Sequence, residues 1–127
     1  LTQIFTTILA LRECLSSLSG QVGLVPTMGA LHAGHVSLID RARRENNCVV
    51  VSIFVNPLQF GVGEDFARYP RMLAEDQRIC ESAGVDLIFA PTAAEMGIDH
   101  DHLTQVIPPA TMLKGLCGRS RIGHFQG

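Results

Sequence analysis

At 127 residues, the chain is the size of one compact domain. Apolar residues make up 46% of it, which excludes a disordered chain and leaves enough material for a core. The formal charge of −2 excludes the broadly basic surface that binds nucleic acid or anionic membranes, and no apolar stretch reaches membrane-spanning length.

Ile4, Ile8, Leu11, Leu15 and Leu18 recur at helical spacing, with Thr2 as N-cap and Gly20 as stop. They predict an N-terminal helix. Arg12 and Glu13 interrupt its apolar run and there is no basic start, which argues against a signal peptide. A first residue of Leu1 rather than Met points to a trimmed or engineered piece of a longer chain. Residues 22–25 predict a short buried strand ending at Pro26. A loop containing Thr27, Met28, Gly29 and Gly34 follows. Helical period resumes at His35, with Val36, Ile39 and Ala42 on one face, and fades at Glu45. Arg41, Arg43 and Arg44 are expected on the solvated side of that helix.

Residues 48–55 are almost continuously β-branched or apolar, as in a strand covered on both faces, and Asn56-Pro57 ends it. Residues 71–83 predict a helix with Leu73, Ile79 and Ala83 inward and Gly84 as its stop. Residues 86–90 predict a third strand, closed by Pro91. Beyond that point the pattern weakens to a short strand at 105–107 and a short helix at 110–116. The order helix, β, α, β, α, β predicts an α/β fold. Its parallel sheet has 22–25, 48–55 and 86–90 as adjacent central strands, flanked by helices in a single domain, 1–127. The four cysteines are scattered and form no C-x-x-C pair. They read as reduced thiols used as small hydrophobes, in keeping with a cytoplasmic protein.

The first strand–loop–helix unit is the place for chemistry, because open α/β sheets collect ligands at the carboxyl ends of their strands. No G-x-G-x-x-G or Walker lysine pattern occurs. Instead His32-Ala33-Gly34-His35 marks the helix entry. Two imidazoles there can donate hydrogen bonds to phosphate, the helix N-terminus adds its dipole, and Gly34 permits close approach. An isolated pair of this kind is more often a helix cap or a surface feature; the strand and the glycine-containing loop before it favour function. His100 and His102 lack a third ligand at sensible spacing and read as surface loop, and Glu64 and Asp65 as solvated.

The stretch Val25-Pro26-Thr27-Met28-Gly29-Ala30-Leu31-His32-Ala33-Gly34-His35 resembles the signature of the pantothenate synthetases, the pantoate–β-alanine ligases. Ser52-Ile53-Phe54-Val55-Asn56-Pro57-Leu58-Gln59-Phe60-Gly61 resembles the family's next motif. Gly63-Glu64-Asp65, Tyr69-Pro70-Arg71, Ala83-Gly84-Val85-Asp86 and the segment from Ser120 to Gly127 continue in register. The chain departs from the family pattern at Ala33, where Glu is usual, at Ile122, where Pro is usual, and near Gly97-Ile98, where Tyr-Pro is usual.

The resemblance implies a Rossmann-like, nucleotidyltransferase-type fold. It implies ligation of pantoate and β-alanine by ATP through a pantoyl adenylate, with magnesium on the phosphates. His32 and His35 would be the catalytic phosphate contacts. Pro26, Thr27, Met28, Gly34, His35 and Asn56 would bind ATP, and Gln59, Met28 and Tyr69 would bind pantoate. His124 would approach the pantoate site. The resemblance also implies a cytoplasmic homodimer with neither nucleic-acid nor membrane partners; some members are fused to a cytidylate kinase. Family chains continue past Gly127 with a lysine for the phosphates, a second pantoate glutamine and a lid. The expectation is therefore an N-terminal half that folds but lacks part of the catalytic set. The alternatives are a nucleotide- or pantoate-binding module without turnover, and another nucleotidyltransferase of the same superfamily. The pantoate-side motif from Phe54 to Gly61 argues against the last.

Overall fold

The computed structural model describes residues 1–60, 72–98, 106–121 and 125. Four strands form one parallel sheet: β1 (Gln3–Phe5), β2 (Val22–Thr27), β3 (Cys48–Ile53) and β4 (Leu87–Phe89), in the order β1-β4-β3-β2. Helices α1 (Ile8–Ser16), α2 (Ala33–Glu45) and α3 (Leu73–Ser82) connect them.

The pleat of β3 explains the layers. Successive side chains on a strand point to opposite faces. Val49 and Val51 join Val25, Ile88, Ile39 of α2 and Cys80 of α3 in one buried cluster. Cys48 and Val50 join Leu87 in a second, against which Leu11, Cys14 and Leu15 of α1 pack. Helices α2 and α3 therefore cover one face and α1 the other. The register places Ile4, Ile88, Val51 and Val25 in one row across all four strands. Cys14, Cys48 and Cys80 are free thiols. Burial, with Asp76 nearby, pushes the Cys80 thiol up to about 11, so it packs as a small hydrophobe and is a poor nucleophile.

Two expectations need correction. The predicted N-terminal helix is split: Gln3–Phe5 is a strand, and the helix begins only at Ile8, capped by the Thr7 side chain. Pairing decides this. Gln3 N donates to Asp86 O at 3.0 Å, Ala90 N donates to Phe5 O at 2.8 Å, and Thr2 Oγ1 donates to Val85 O at 2.7 Å instead of capping a helix. A sheet edge thus overrides helical spacing. The second correction concerns β2, which is adjacent to β3 but forms an edge of the described sheet, and which runs through Pro26 to Thr27. An edge strand pairs on one side only and so tolerates a residue without an N–H.

Smaller differences concern ends. Strand β3 stops at Ile53, although Phe54 N still donates to Thr27 O at 3.0 Å. Of the short strand expected at 105–107, Gln105 lies outside the described residues, and Val106 and Ile107 take no regular structure. The short helix expected at 110–116 is a pair of 3-10 turns, Met112–Lys114 and Leu116–Arg119.

Arg43 is no mere solvated arginine. Its guanidinium pairs with Asp86 and donates to Asn47 O at 2.6 Å, Asn46 O at 3.2 Å and Gly84 O at 3.3 Å. Asp86 in turn accepts from Val49 N at 2.7 Å. One side chain thereby ties the end of α2 to the starts of β3 and β4. Arg43→Met should cost about 1.5–3 kcal/mol of folding free energy in urea titration, because a charged donor set leaves its acceptors unpaired. Arg44→Met, at an exposed neighbour, should stay within about 0.5 kcal/mol.

Candidate active site

Strand β2 delivers its chain to the carboxyl edge of the sheet, where the backbone must turn back into α2. Thr27 starts the turn: its hydroxyl donates to Ser52 O at 2.8 Å and accepts from Gly29 N at 3.1 Å. Gly29 and Ala30 then take left-handed φ values of 81° and 52°. A Cβ on Gly29 would stand 2.8 Å from Asp76 Oδ2 and 3.1 Å from Ile53 Cγ2, so glycine is required there for conformation and for space. The Asp76 carboxylate, on α3 and 1% exposed, accepts from Ala30 N at 3.0 Å and from Leu31 N at 2.7 Å.

The helix that follows is capped by imidazoles. His32 is its N-cap: His32 Nδ1 accepts from Gly34 N at 3.1 Å, and His35 Nδ1 accepts from His32 N at 3.3 Å. The ring centroids are 4.1 Å apart and tilted by 47°. A nitrogen that accepts from an N–H carries no proton, so in both rings the proton sits on Nε2. Each imidazole is thus oriented by the backbone and keeps one outward donor. The first turn of α2 holds no acidic side chain, which leaves the positive end of the dipole uncompensated. Burial first, and then the neighbouring His32, lower the His35 pKa below its ordinary 6.5; Asp76 acts in the opposite direction.

A cleft of about 360 Å³ opens at the same sheet edge. It is lined by Met28 and Gly29, by residues 53–55 at the end of β3 and just past it, by Met72, Leu73 and Asp76 around the start of α3, and by residues 90–93 after β4. Met28 therefore faces the cleft, and Thr27 and Pro26 lie on the strand end that feeds it. His32, Gly34 and His35 gather at the helix entry. Asn56 and Gln59 sit on the next turn over. Asn56 caps the 3-10 turn Pro57–Gln59, its side chain accepting from Leu58 N at 3.0 Å. Gln59 O accepts from Arg121 Nη2 at 3.5 Å. These two side chains and the imidazoles adjoin the cleft's loops without forming its lining. Tyr69, Glu64, Asp65, His100, His102 and His124 lie outside the described residues.

Asp76 is the residue that sequence reasoning missed. A signal was available: Leu73, Asp76, Cys80 and Ala83 follow the 3-4-3 spacing of one helix face, so a carboxylate occupies an apolar position. Among the described residues, no group of three or more His, Cys, Asp or Glu side chains is placed to hold a metal ion.

Solved structures similar to this chain share its topology. The pantothenate synthetase of Thermus thermophilus superposes with a TM-score of 0.87 at 49% identity, over 98% of this chain and 44% of that one. The pantoate-beta-alanine ligase of Francisella tularensis, solved in complex with beta-gamma ATP and beta-alanine, gives 0.90 at 41% identity, over 98% and 48%. With a four-stranded parallel sheet and helices on both faces, the domain is of the Rossmann-like, nucleotidyltransferase type. Residues 3–127 match the model of the pantoate-beta-alanine ligase family, and the chain belongs to that family.

Among curated relatives, the bifunctional pantoate ligase/cytidylate kinase of Trichormus variabilis is 62% identical over 111 residues, covering 84% of this chain and 21% of the relative. That of Thermosynechococcus vestitus is 55% identical over 125 residues, covering 96% and 24%. The chain thus spans roughly a quarter or less of these curated relatives and under half of the solved ones.

The lowered His35 pKa has a pH consequence. A base that is harder to protonate when folded stabilises the fold fully above its unfolded pKa, and that contribution is lost as pH falls toward the folded value. NMR titration of the protein should place the His35 midpoint below 6.5. His35→Gln should flatten part of the loss of stability on acidification. A midpoint at or above 6.5 would contradict the assigned environment.

Proposed function

We propose that this chain forms the ATP- and pantoate-binding part of a ligase that joins pantoate to β-alanine. In the first step a pantoate carboxylate oxygen attacks the α-phosphorus of ATP. The α–β phosphoanhydride bond breaks, and pyrophosphate leaves behind pantoyl adenylate. In the second step the β-alanine amine attacks the activated carbonyl, a proton is lost from nitrogen, and AMP departs. Neither step needs a covalent bond to the protein. Both need the reactants held in line and the building phosphate charge met by fixed donors.

The observation that carries this proposal is the state of the imidazole pair. Each Nδ1 is fastened to a backbone N–H, so each Nε2–H is a pre-aimed donor beside a helix N-terminus. His32 and His35 take the phosphates in this account. Pro26, Thr27, Met28 and Gly34 flank the nucleotide. Asn56, whose Oδ1 is already occupied by Leu58 N, keeps its amide N–H groups for ATP. Gln59 and Tyr69, with Met28, hold pantoate. Magnesium would accompany ATP as the counter-ion of its phosphates. A cytoplasmic homodimer completes the proposal; no helix among the described residues is long and apolar enough to cross a membrane.

The test is His35→Ala in a ligase of full family length carrying this segment. Losing one aligned donor should slow pyrophosphate release by two to three orders of magnitude, about 2.7–4 kcal/mol. The thermal transition should stay close to that of the parent. A drop of less than about tenfold in a folded variant would remove His35 from the phosphate site.

A further inference from the structure

Asp76 has no part in the proposed chemistry, yet it occupies the wall between the cleft and the turn that presents the histidines. We infer that Asp76 is the positioning residue of the nucleotide site: by accepting from Ala30 and Leu31 it holds the left-handed turn that sets His32 and His35 at the start of α2. The inference deepens the ligase assignment and rests on it for the identity of the ligand.

Four observations converge. The carboxylate is almost wholly buried, and both of its oxygens are engaged by backbone N–H groups of the turn. Ala30 takes a positive φ of 52°, a conformation that residues with a Cβ avoid unless their surroundings impose it. Leu31, whose N–H is clasped and whose side chain is buried, immediately precedes the N-cap His32. Finally, His32 N is the group that orients His35 through Nδ1. A displaced Leu31 therefore moves both rings together. The arrangement is a chain of contacts from α3 through the turn to the two donors.

A purely structural aspartate and a positioning one differ in what their loss does. Asp76→Asn places an amide N–H₂ against two backbone N–H groups, so one of them loses its acceptor. Gly29→Ala disturbs the same clasp from the other side, its new Cβ lying 2.8 Å from Asp76 Oδ2. In a ligase of full family length carrying this segment, each variant should lower kcat for pyrophosphate release by about tenfold or more while KM for ATP moves less. Asp76 also raises the His35 pKa, against burial and His32. Asp76→Asn should therefore shift the His35 NMR titration midpoint further down.

Amide exchange gives a readout that needs no variant and no turnover. Ala30 and Leu31 N–H should be protected in the parent protein by about tenfold or more over exposed loop amides. If those amides exchange as fast as exposed ones, no clasp exists and the inference falls, whether or not the variants fold. It falls equally if folded Asp76→Asn keeps kcat within about threefold of the parent. Absence of pyrophosphate release from the parent would overturn the ligase assignment instead, and would leave the exchange and titration results to judge the clasp alone.

Discussion

A carboxylate with 1% of its surface exposed must be compensated by hydrogen bonds, because its desolvation cost is otherwise prohibitive. Asp76 obtains two, from backbone N–H groups of a turn 46 and 45 residues earlier in the chain. Compensation runs in both directions. The turn holds Ala30 at a positive φ that it would not keep unaided, and Gly29 stands where any side chain would collide with the carboxylate. The geometry of the sheet's carboxyl edge follows from this one clasp. The strand must end at Thr27, the chain must reverse through Gly29 and Ala30, and α2 must start just after its N-cap His32.

Helix α2 is fastened at its far end by a second carboxylate. Asp86, just ahead of β4, takes Arg43 from the last turn of the helix and Val49 N from β3. The two acidic residues act at opposite ends of the sheet and of the same helix. Between them, Ile39 is fully buried against Val25, Val49 and Val51. A helix pinned at both ends and packed along its length is a rigid base, and rigidity is what a pair of hydrogen-bond donors needs if it is to meet a transferring phosphoryl group without reorganising.

Much of this was legible from local signals. β3 was visible as a run of β-branched residues because both of its faces are covered, and α2 because Val36, Ile39 and Ala42 repeat at helical spacing. The histidines could be assigned to a helix entry because a strand and a glycine-containing turn precede them. What could not be read was decided by distant partners. Gln3, Ile4 and Phe5 fit a helical pattern as well as a strand, and only pairing with β4, more than 80 residues later in sequence, selects the strand. Pro26 looked like a strand end, and only the edge position of β2 makes it acceptable inside the strand. Arg43 looked like a solvated helix residue, and Asp76 stood out only as a carboxylate at an apolar helix position. Their roles depend on which backbone groups lie across the fold, and no local pattern encodes that. Tyr69, assigned to pantoate by resemblance, falls outside the described residues, so the fold adds nothing to its case.

The electrostatics of the helix entry bear on how such a site would work. An anion-binding turn could be built from lysine or arginine, whose fixed charges hold ground state and transition state alike. Here the donors at the turn are imidazoles with the proton on Nε2, and burial and a neighbouring ring keep His35 harder to protonate than free histidine. Neutral donors of fixed direction gain most where charge increases during the reaction, and only such differential binding speeds the chemical step. The nearby buried carboxylate, Asp76, is directed at the backbone of the turn, so its charge is used in shaping the site. With no acid in the first turn of α2, the helix dipole adds to the same field. The division of labour is consistent: carboxylates fix the backbone, the backbone fixes the imidazoles, and the imidazoles face the phosphate in the proposed adenylation.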